Sequence, residues 1–371
     1  MVANALLLSA YDAKSHKLWR LRLAQMFPEI HWTQLALPPR NFNWRIRGNS
    51  LHWAINNREE LVESYDLLLA TSMVDLTSLR GFLPQLASVP SIVYFHENQF
   101  AYPDNLQRQD NIEPLLVPLY SALCADRIVF NSKYNKESFI EGVRSLFKRL
   151  PDKIPNIAIE KLLASSVVPV PITIPGNAIS RSASSDCLEV VWNHRWEYDK
   201  DPELLLAIVE RITSAALPIR LHVVGESFRQ IPDPFKQIEK LLIQHCRDMK
   251  IEAGAFGYIE DENKYYGLLA SSDVVLSTAL HDFQGLSMQE ACFLGCTPLA
   301  PDNLVYPEYL TAEFLYQSLD TKTETAQTVV DRLSQWWEFK TKGDALPKAD
   351  LHKYSAEELR SSYSELFGLT S

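Results

Sequence analysis

The chain has 371 residues, 46% hydrophobic and 22% charged, with a formal net charge of −10. That is the balance of a soluble globular protein of roughly two domains, and it excludes a disordered scaffold, a collagen and a disulfide-stapled miniprotein. No apolar run approaches the roughly 18 residues that span a bilayer. The start, MVANALLLSAYDAK, has neither a basic n-region nor a small-residue cleavage site. Five cysteines without metal-ligand spacing suggest reduced thiols. These features predict a cytoplasmic protein with no membrane segment.

In chain order, the short apolar runs at 5–10, 66–72, 91–95 and 127–132 read as buried parallel strands. Amphipathic segments around 14–27, 52–64, 112–124 and 134–149 connect them. A second series of strands is predicted at 188–193, 219–225, 253–259, 273–278 and 296–300, with helices near 202–216, 234–248, 262–271 and 284–295. Strand–helix alternation twice over predicts two doubly wound, Rossmann-like α/β domains. We place them at 1–172 and 187–352, joined by a Pro/Ser/Ala-rich linker at 173–186 and followed by a C-terminal helix within 353–371. In such sheets ligands bind beyond the carboxyl ends of strands, which predicts a site in a cleft between the two sheets.

Charge is uneven. Residues 1–172 carry 18 basic against 16 acidic side chains, whereas 173–371 carry 18 against 30. Within 13–58 there are eight basic residues and one acid, interleaved with Trp19, Trp32, Phe42, Trp44 and Trp53. A basic aromatic segment in an acidic protein suits a polyanion. It would equally serve as a solvated face with its aromatics turned to the core.

Chemistry-bearing residues follow the strands. After 188–193 comes NHRWEYDKDP, in which Arg195 and Lys200 precede a helix starting at Pro202. Two cations and a helix N-terminus make a diphosphate cradle. Asp199 and Asp201 form a D-x-D pair that could hold a divalent metal, but Asp201 before Pro202 reads better as a helix cap, so no metal is expected. After 273–278, Asp282 and Glu290 stand eight apart with Gly285 between them. A carboxylate within the apolar ACFLGC run is costly to bury without a partner and can accept from vicinal hydroxyls. In the first half, His96, Glu97 and Asn98 end the strand of YFHENQ, where they can contact a ligand. Ser15, His16 and Lys17 can meet phosphate or acceptor, and Asn131 or Ser132 caps a helix.

The two C-terminal loops resemble the donor half of retaining GT-B glycosyltransferases with an E-x7-E signature, here Asp282-x7-Glu290. The resemblance implies that Glu290 holds the nucleotide ribose. Asp282 and the N–H groups of Phe283, Gln284 and Gly285 would hold sugar hydroxyls, and Arg195 with Lys200 the diphosphate. Gly225 and Glu226 match the turn after the next strand, and Tyr258 and Ile259 fall where the family contacts the base. Taken together, SHK, PPRNFNWRIR, YFHENQ, VFNSKYN, HRWEYDKDPE and LVYPE are similar to the tRNA-queuosine mannosyltransferase family over nearly the whole chain. That resemblance implies a GT-B fold whose C-terminal helix returns to the N-terminal domain. It also implies mannose transfer from GDP-mannose, a nucleotide sugar, to queuosine in the anticodon of tRNA-Asp. On this reading Arg40, Trp44, Arg45 and Arg47 meet the anticodon loop, with Ser15, His16, Lys17, Glu97 and Asn98 on the acceptor side. His96, Arg195, Lys200 and Asp282 would act at the reacting centre, by front-face transfer without a metal or other cofactor. A lipid or saccharide acceptor, or a non-catalytic nucleotide-sugar or RNA-binding module, are the alternatives.

Overall fold

The computed structural model describes residues 2–102, 112–174, 186–227 and 231–369. Most of the expected linker, 175–185, lies outside these. The chain divides into two compact units, Met1–Pro171 with Lys353–Ser371, and Ile172–His352.

In the first unit the elements run β1 (Asn4–Ser9), α1 (Lys14–Met26), β2 (His31–Ala36), α2 (Phe42–Asn56), α3 (Arg58–Leu61), β3 (Leu67–Thr71), α4 (Leu76–Phe82), β4 (Ser91–Phe95), α5 (Glu113–Cys124), β5 (Arg127–Phe130), α6 (Lys133–Arg149), α7 (Ile157–Leu163) and β6 (Ser166–Val167). All pairings are parallel, in the order β2-β1-β3-β4-β5-β6. The central strands are buried on both faces, which is why they read as continuous apolar runs. Leu6, Leu8, Leu68, Ala70, Val93 and Phe95 face one core, with Trp53, Leu79 and Val117 of the helices against them.

Three departures from the sequence reading have physical causes. The strand β2 is a half-exposed edge whose HWTQLA lacks an apolar run. The helix α2 starts at Phe42, ten residues earlier than expected and shortly after Pro38 and Pro39, so Trp44, Arg45 and Arg47 stand on a helix. Its buried residues mix Ile46, Trp53 and Ala54 with Gly48, Asn49 and Ser50, which breaks up the apolar stripe. The expected strand 253–259 pairs only at Phe256–Gly257.

The second unit runs β7 (Leu188–Trp192), α8 (Pro202–Ser214), β8 (Ile219–Val224), α9 (Pro234–Met249), β9 (Phe256–Gly257), α10 (Glu262–Ser271), β10 (Val274–Leu276), α11 (Leu286–Phe293), β11 (Thr297–Pro301), β12 (Leu315–Tyr316) and α12 (Lys322–Lys342). Its parallel sheet has the order β12-β11-β10-β7-β8-β9. The strand order reverses between β7 and β10, and between β1 and β3 in the first sheet; ligands collect at such points. The helix α12, absent from the sequence reading, opens with a capping box of Thr321 and Glu324 and ends at Gly343.

The last helix, α13 (Ala356–Phe367), packs on the first unit. The Tyr363 hydroxyl accepts from Trp19 Nε1 at 3.0 Å and donates to the Pro169 carbonyl at 3.0 Å, while Phe367 meets Phe27 and Trp32 edge-on. Trp19 in turn stacks on Tyr94 at 4.5 Å. This face of the sheet, opposite the Leu6–Leu8 core, is thus covered by α1 and α13. All five cysteines are free, and no described helix is long and apolar enough to cross a membrane.

Replacing Tyr363 by Phe keeps the ring but leaves the Trp19 indole and Pro169 carbonyl buried without this partner. The expected loss is about 1–3 kcal/mol, read as a lower urea midpoint at unchanged m-value; an unchanged midpoint contradicts it.

Candidate functional site

In the second unit, the loops leaving β7, β8 and β10 are tied into one wall. A Cβ on Gly225 would lie 1.7 Å from the His194 carbonyl oxygen, so only glycine lets the β8 loop lie against the β7 loop. Trp196 N–H donates to the Glu226 carbonyl at 2.9 Å, and Trp196 stacks on Phe235 at 4.3 Å. The Thr278 hydroxyl donates to the Lys200 carbonyl at 2.6 Å and accepts from Trp192 Nε1 at 2.9 Å. These bonds join the two loops that flank the reversal of strand order.

Lys200 is buried. Its Nζ donates to the His281 carbonyl at 2.5 Å and lies 3.4 Å from Asp199 and 3.8 Å from Asp282. Arg195 is about half exposed, 2.6 Å from Glu197 and 3.8 Å from Asp199. The D-x-D acids have other work: Asp199 lies against both cations, and Asp201 caps Leu204 N–H while pairing with Lys322. Among the described residues, no three His, Cys, Asp or Glu side chains gather as a metal site.

Asp282, expected to hold sugar hydroxyls, also has partners within the chain. Its Oδ1 accepts from Gly285 N–H at 3.0 Å and its Oδ2 from the Tyr306 hydroxyl at 3.0 Å. It braces the loop, and the Gly285 N–H is used internally. Burial alone would raise its pKa, but Lys200, then His194, Tyr306 and His281, hold it below the usual carboxylate range. Gly285 itself has φ +72° and no room for a Cβ beside the Tyr309 hydroxyl at 2.5 Å. Phe283 packs edge-on to His281, and the Gln284 amide donates to Gln289. Glu290, in the second turn of α11, is buried, and its charge adds to burial in raising the Tyr265 hydroxyl's pKa. Tyr258 is exposed and Ile259 half-buried beyond β9, and the Glu226 side chain is exposed.

Sequence reasoning missed His194, His281 and Tyr306. Burial, and next the charge of Lys200, push His194 down to about 3 and His281 to about 4. Two neutral imidazoles therefore line the buried ammonium. His194 stood beside Arg195 in the quoted motif and Tyr306 within LVYPE, but nothing in their spacing announced the contacts.

In the first unit, His96 directly follows β4, buried against Trp19 and Tyr94 with its ring 4.2 Å from that of His16. Burial and then His16 hold it neutral, well below the usual imidazole pKa. His16 lies in the first turn of α1 and its Nδ1 donates to the Tyr11 carbonyl at 2.6 Å; Ser15 is half-buried and Lys17 exposed. The His96 carbonyl accepts from the Asn131 amide at 2.9 Å. Asn98 is likewise committed within the fold. Its amide donates to Asn135 and Ser138, and its oxygen accepts from Phe100 and Ala101 N–H, so it shapes the loop. Ser132 caps α6 through Asn135 N–H, and Glu97 is half-buried.

On α2, Arg40, which precedes it, is exposed, and Trp44 is 55% exposed over Gly48. Arg45 is half-buried. Arg47 is paired with the buried Asp75 at 2.9 Å and with Glu113 at 3.0 Å, so its charge is already engaged.

Residues 4–172 match the family model of the tRNA-queuosine alpha-mannosyltransferase N-terminal domain. A tRNA-queuosine alpha-mannosyltransferase of Drosophila melanogaster is 32% identical over 345 residues, 90% of this chain and 88% of that protein. The chain belongs to the tRNA-queuosine alpha-mannosyltransferase family.

Solved structures agree on the fold. Anabaena HepE in complex with UDP superimposes with a TM-score of 0.61 over 99% of this chain and 100% of that one at 13% identity. Sucrose-phosphate synthase of Thermosynechococcus elongatus gives 0.63 over the same shares, also at 13% identity. These likenesses show a GT-B architecture, and membership of the family makes the chain a glycosyltransferase.

The buried imidazoles give its stability a pH signature. An unfolded histidine binds its proton near pH 6.5, whereas His194 and His281 resist until about 3 and about 4. Their contribution is complete above pH 6.5 and shrinks as pH falls below it; that of Asp282, with its depressed pKa, is lost only at still lower pH. Between pH 7 and pH 5, His194→Asn should reduce the fall in unfolding free energy by up to about 2 kcal/mol. Urea midpoints at the two pH values check this, and an identical fall in the variant contradicts a buried neutral His194.

Proposed function

We propose that this chain transfers mannose from GDP-mannose to queuosine in the anticodon of tRNA-Asp, with retention, in the cytoplasm. What carries the reading is the likeness to a queuosine mannosyltransferase along nine-tenths of the chain, in combination with a cationic Arg195–Lys200 loop at the reversal of strand order in the second sheet.

In this reading the donor diphosphate meets Lys200 from a fixed direction, because the lysine is held by the His281 carbonyl and two acids. Arg195, more exposed, turns from Glu197 to the incoming phosphate. Glu290 accepts from the ribose hydroxyls, and the loop of Phe283 to Gly285, braced by Asp282, receives the sugar. Gly225 and Glu226 border the diphosphate, and Tyr258 and Ile259 the base. The acceptor hydroxyl oxygen attacks the anomeric carbon on the face from which the phosphate departs. As that carbon–oxygen bond breaks, the hydroxyl proton passes to the leaving diphosphate oxygen. Arg195 and Lys200 stabilise the charge gathering there, so no metal is required of Asp199 or Asp201, whose carboxylates have other partners. His96, with the His16 ring against it, borders the acceptor side.

Exposed Trp44 with Arg40 beside it suits an unstacked anticodon base and its phosphate. Arg45 and Arg47 support that helix, Arg47 chiefly through Asp75, and Ser15 and Lys17 lie near the same end of the sheet.

Incubation with GDP-mannose and tRNA, followed by nucleoside mass analysis, should show one hexose added to queuosine. Arg195→Ala or Glu290→Ala should lower the rate roughly 100- to 1,000-fold with the melting temperature kept. Arg40→Ala with Trp44→Ala should weaken tRNA binding by about tenfold or more and leave GDP binding unchanged. No hexose on queuosine would overturn the reading.

A further inference from the structure

Resting on that reading, the carboxyl edge of the first sheet carries a more specific assignment. Ser9 closes β1, Thr71 closes β3, and His96 follows β4. The register pairs Leu8 with Ala70 and Thr71 with Tyr94, so Ser9, Thr71 and Tyr94 stand side by side on strands about 4.8 Å apart. Side chains two residues apart share a face. Ser9, Thr71, Tyr94 and His96 therefore all lie on the face covered by α1, where Trp19 and His16 touch His96.

Ser9 is fully buried, Thr71 is 1% exposed and His96 is 7% exposed. Among the described residues, Ser9 Oγ, Thr71 Oγ1 and His96 Nε2 have no hydrogen-bond partner. One unsatisfied buried polar atom is an anomaly; three on one face, at one strand edge and beside the point where strand order reverses, indicate groups awaiting a ligand.

We infer that the Ser9 and Thr71 hydroxyls and the His96 imidazole hold a neutral vicinal diol of the acceptor. No cation belongs to this trio, which makes it a poor phosphate site. Two hydroxyls and a neutral imidazole can each donate or accept once, which matches the hydroxyl pair of a cyclic diol. The position also suits an acceptor presented by RNA. Asn49 of α2 donates to the Met73 carbonyl and accepts from Asp75 N–H, so the helix bearing Trp44 grips the loop that directly follows Thr71.

The test is Thr71→Val with Ser9→Ala in the full chain, with Thr71→Ser as the conservative control. The double variant should lose roughly 10- to 100-fold in kcat/KM for queuosine-containing tRNA, while the dissociation constant for GDP-mannose stays unchanged. Thr71→Ser should restore near-native kcat/KM. Because the hydroxyls lack partners in the free protein, the melting temperature of the double variant should hold or rise. A fall in melting temperature would make the hydroxyls structural and overturn the assignment, as would weakened donor binding or an unchanged kcat/KM. A wild-type enzyme that adds no hexose to queuosine would overturn the mannosyl-transfer reading instead, so the two failures are distinct.

Discussion

One buried ammonium organises the C-terminal unit. Taking a lysine out of water is expensive unless close opposite charge and hydrogen bonds replace its hydration. The protein meets that demand for Lys200 with a carbonyl at 2.5 Å and the carboxylates of Asp199 and Asp282. Each of these is then fixed by something else. Asp282 is locked by Gly285 and Tyr306, and the 278–282 segment is sewn to the β7 loop through Thr278. The consequence is a cation held in place, largely out of water, before a ligand arrives. The two histidines beside it stay neutral chiefly because they are buried and next because Lys200 is already charged.

The first unit meets a different constraint, an N-terminal sheet with one face left to two helices from opposite ends of the chain. Trp19 and Tyr94 form the floor under α1, and Tyr363 of α13 locks onto it. The residues that end β1, β3 and β4 on this face are thereby kept from water. That burial is what makes His96 neutral and leaves the Ser9 and Thr71 hydroxyls without partners. Packing far down the sequence sets the chemistry of the strand edge.

Much of this was legible in the chain itself. The runs ALLLSA, DLLLATS, SIVYF and RIVFNS are apolar on both faces because both faces are covered, and alternation with helices leads directly to two wound sheets. The cation pair in HRWEYDK was recognisable from its place after a strand and before Pro202. What could not be read were contacts set by distant partners. Asp282 is held by Tyr306, 24 residues on, and the Asn98 amide is taken up by Asn135 and Ser138. The edge strand β2 and the helix α2 were obscured for a related reason. Neither has a clean apolar stripe, one being half in water and the other burying Gly48, Asn49 and Ser50 among its apolar residues.

The central claim is that the β7 and β10 loops grip a diphosphate through a pre-aimed lysine. Calorimetric titration of the full chain with GDP and with guanosine isolates that grip from recognition of the base. The account predicts that GDP binds at least about 100-fold more tightly than guanosine, and that Lys200→Met removes most of that difference. Equal affinity for the two ligands, or a difference that survives loss of the lysine, would contradict it.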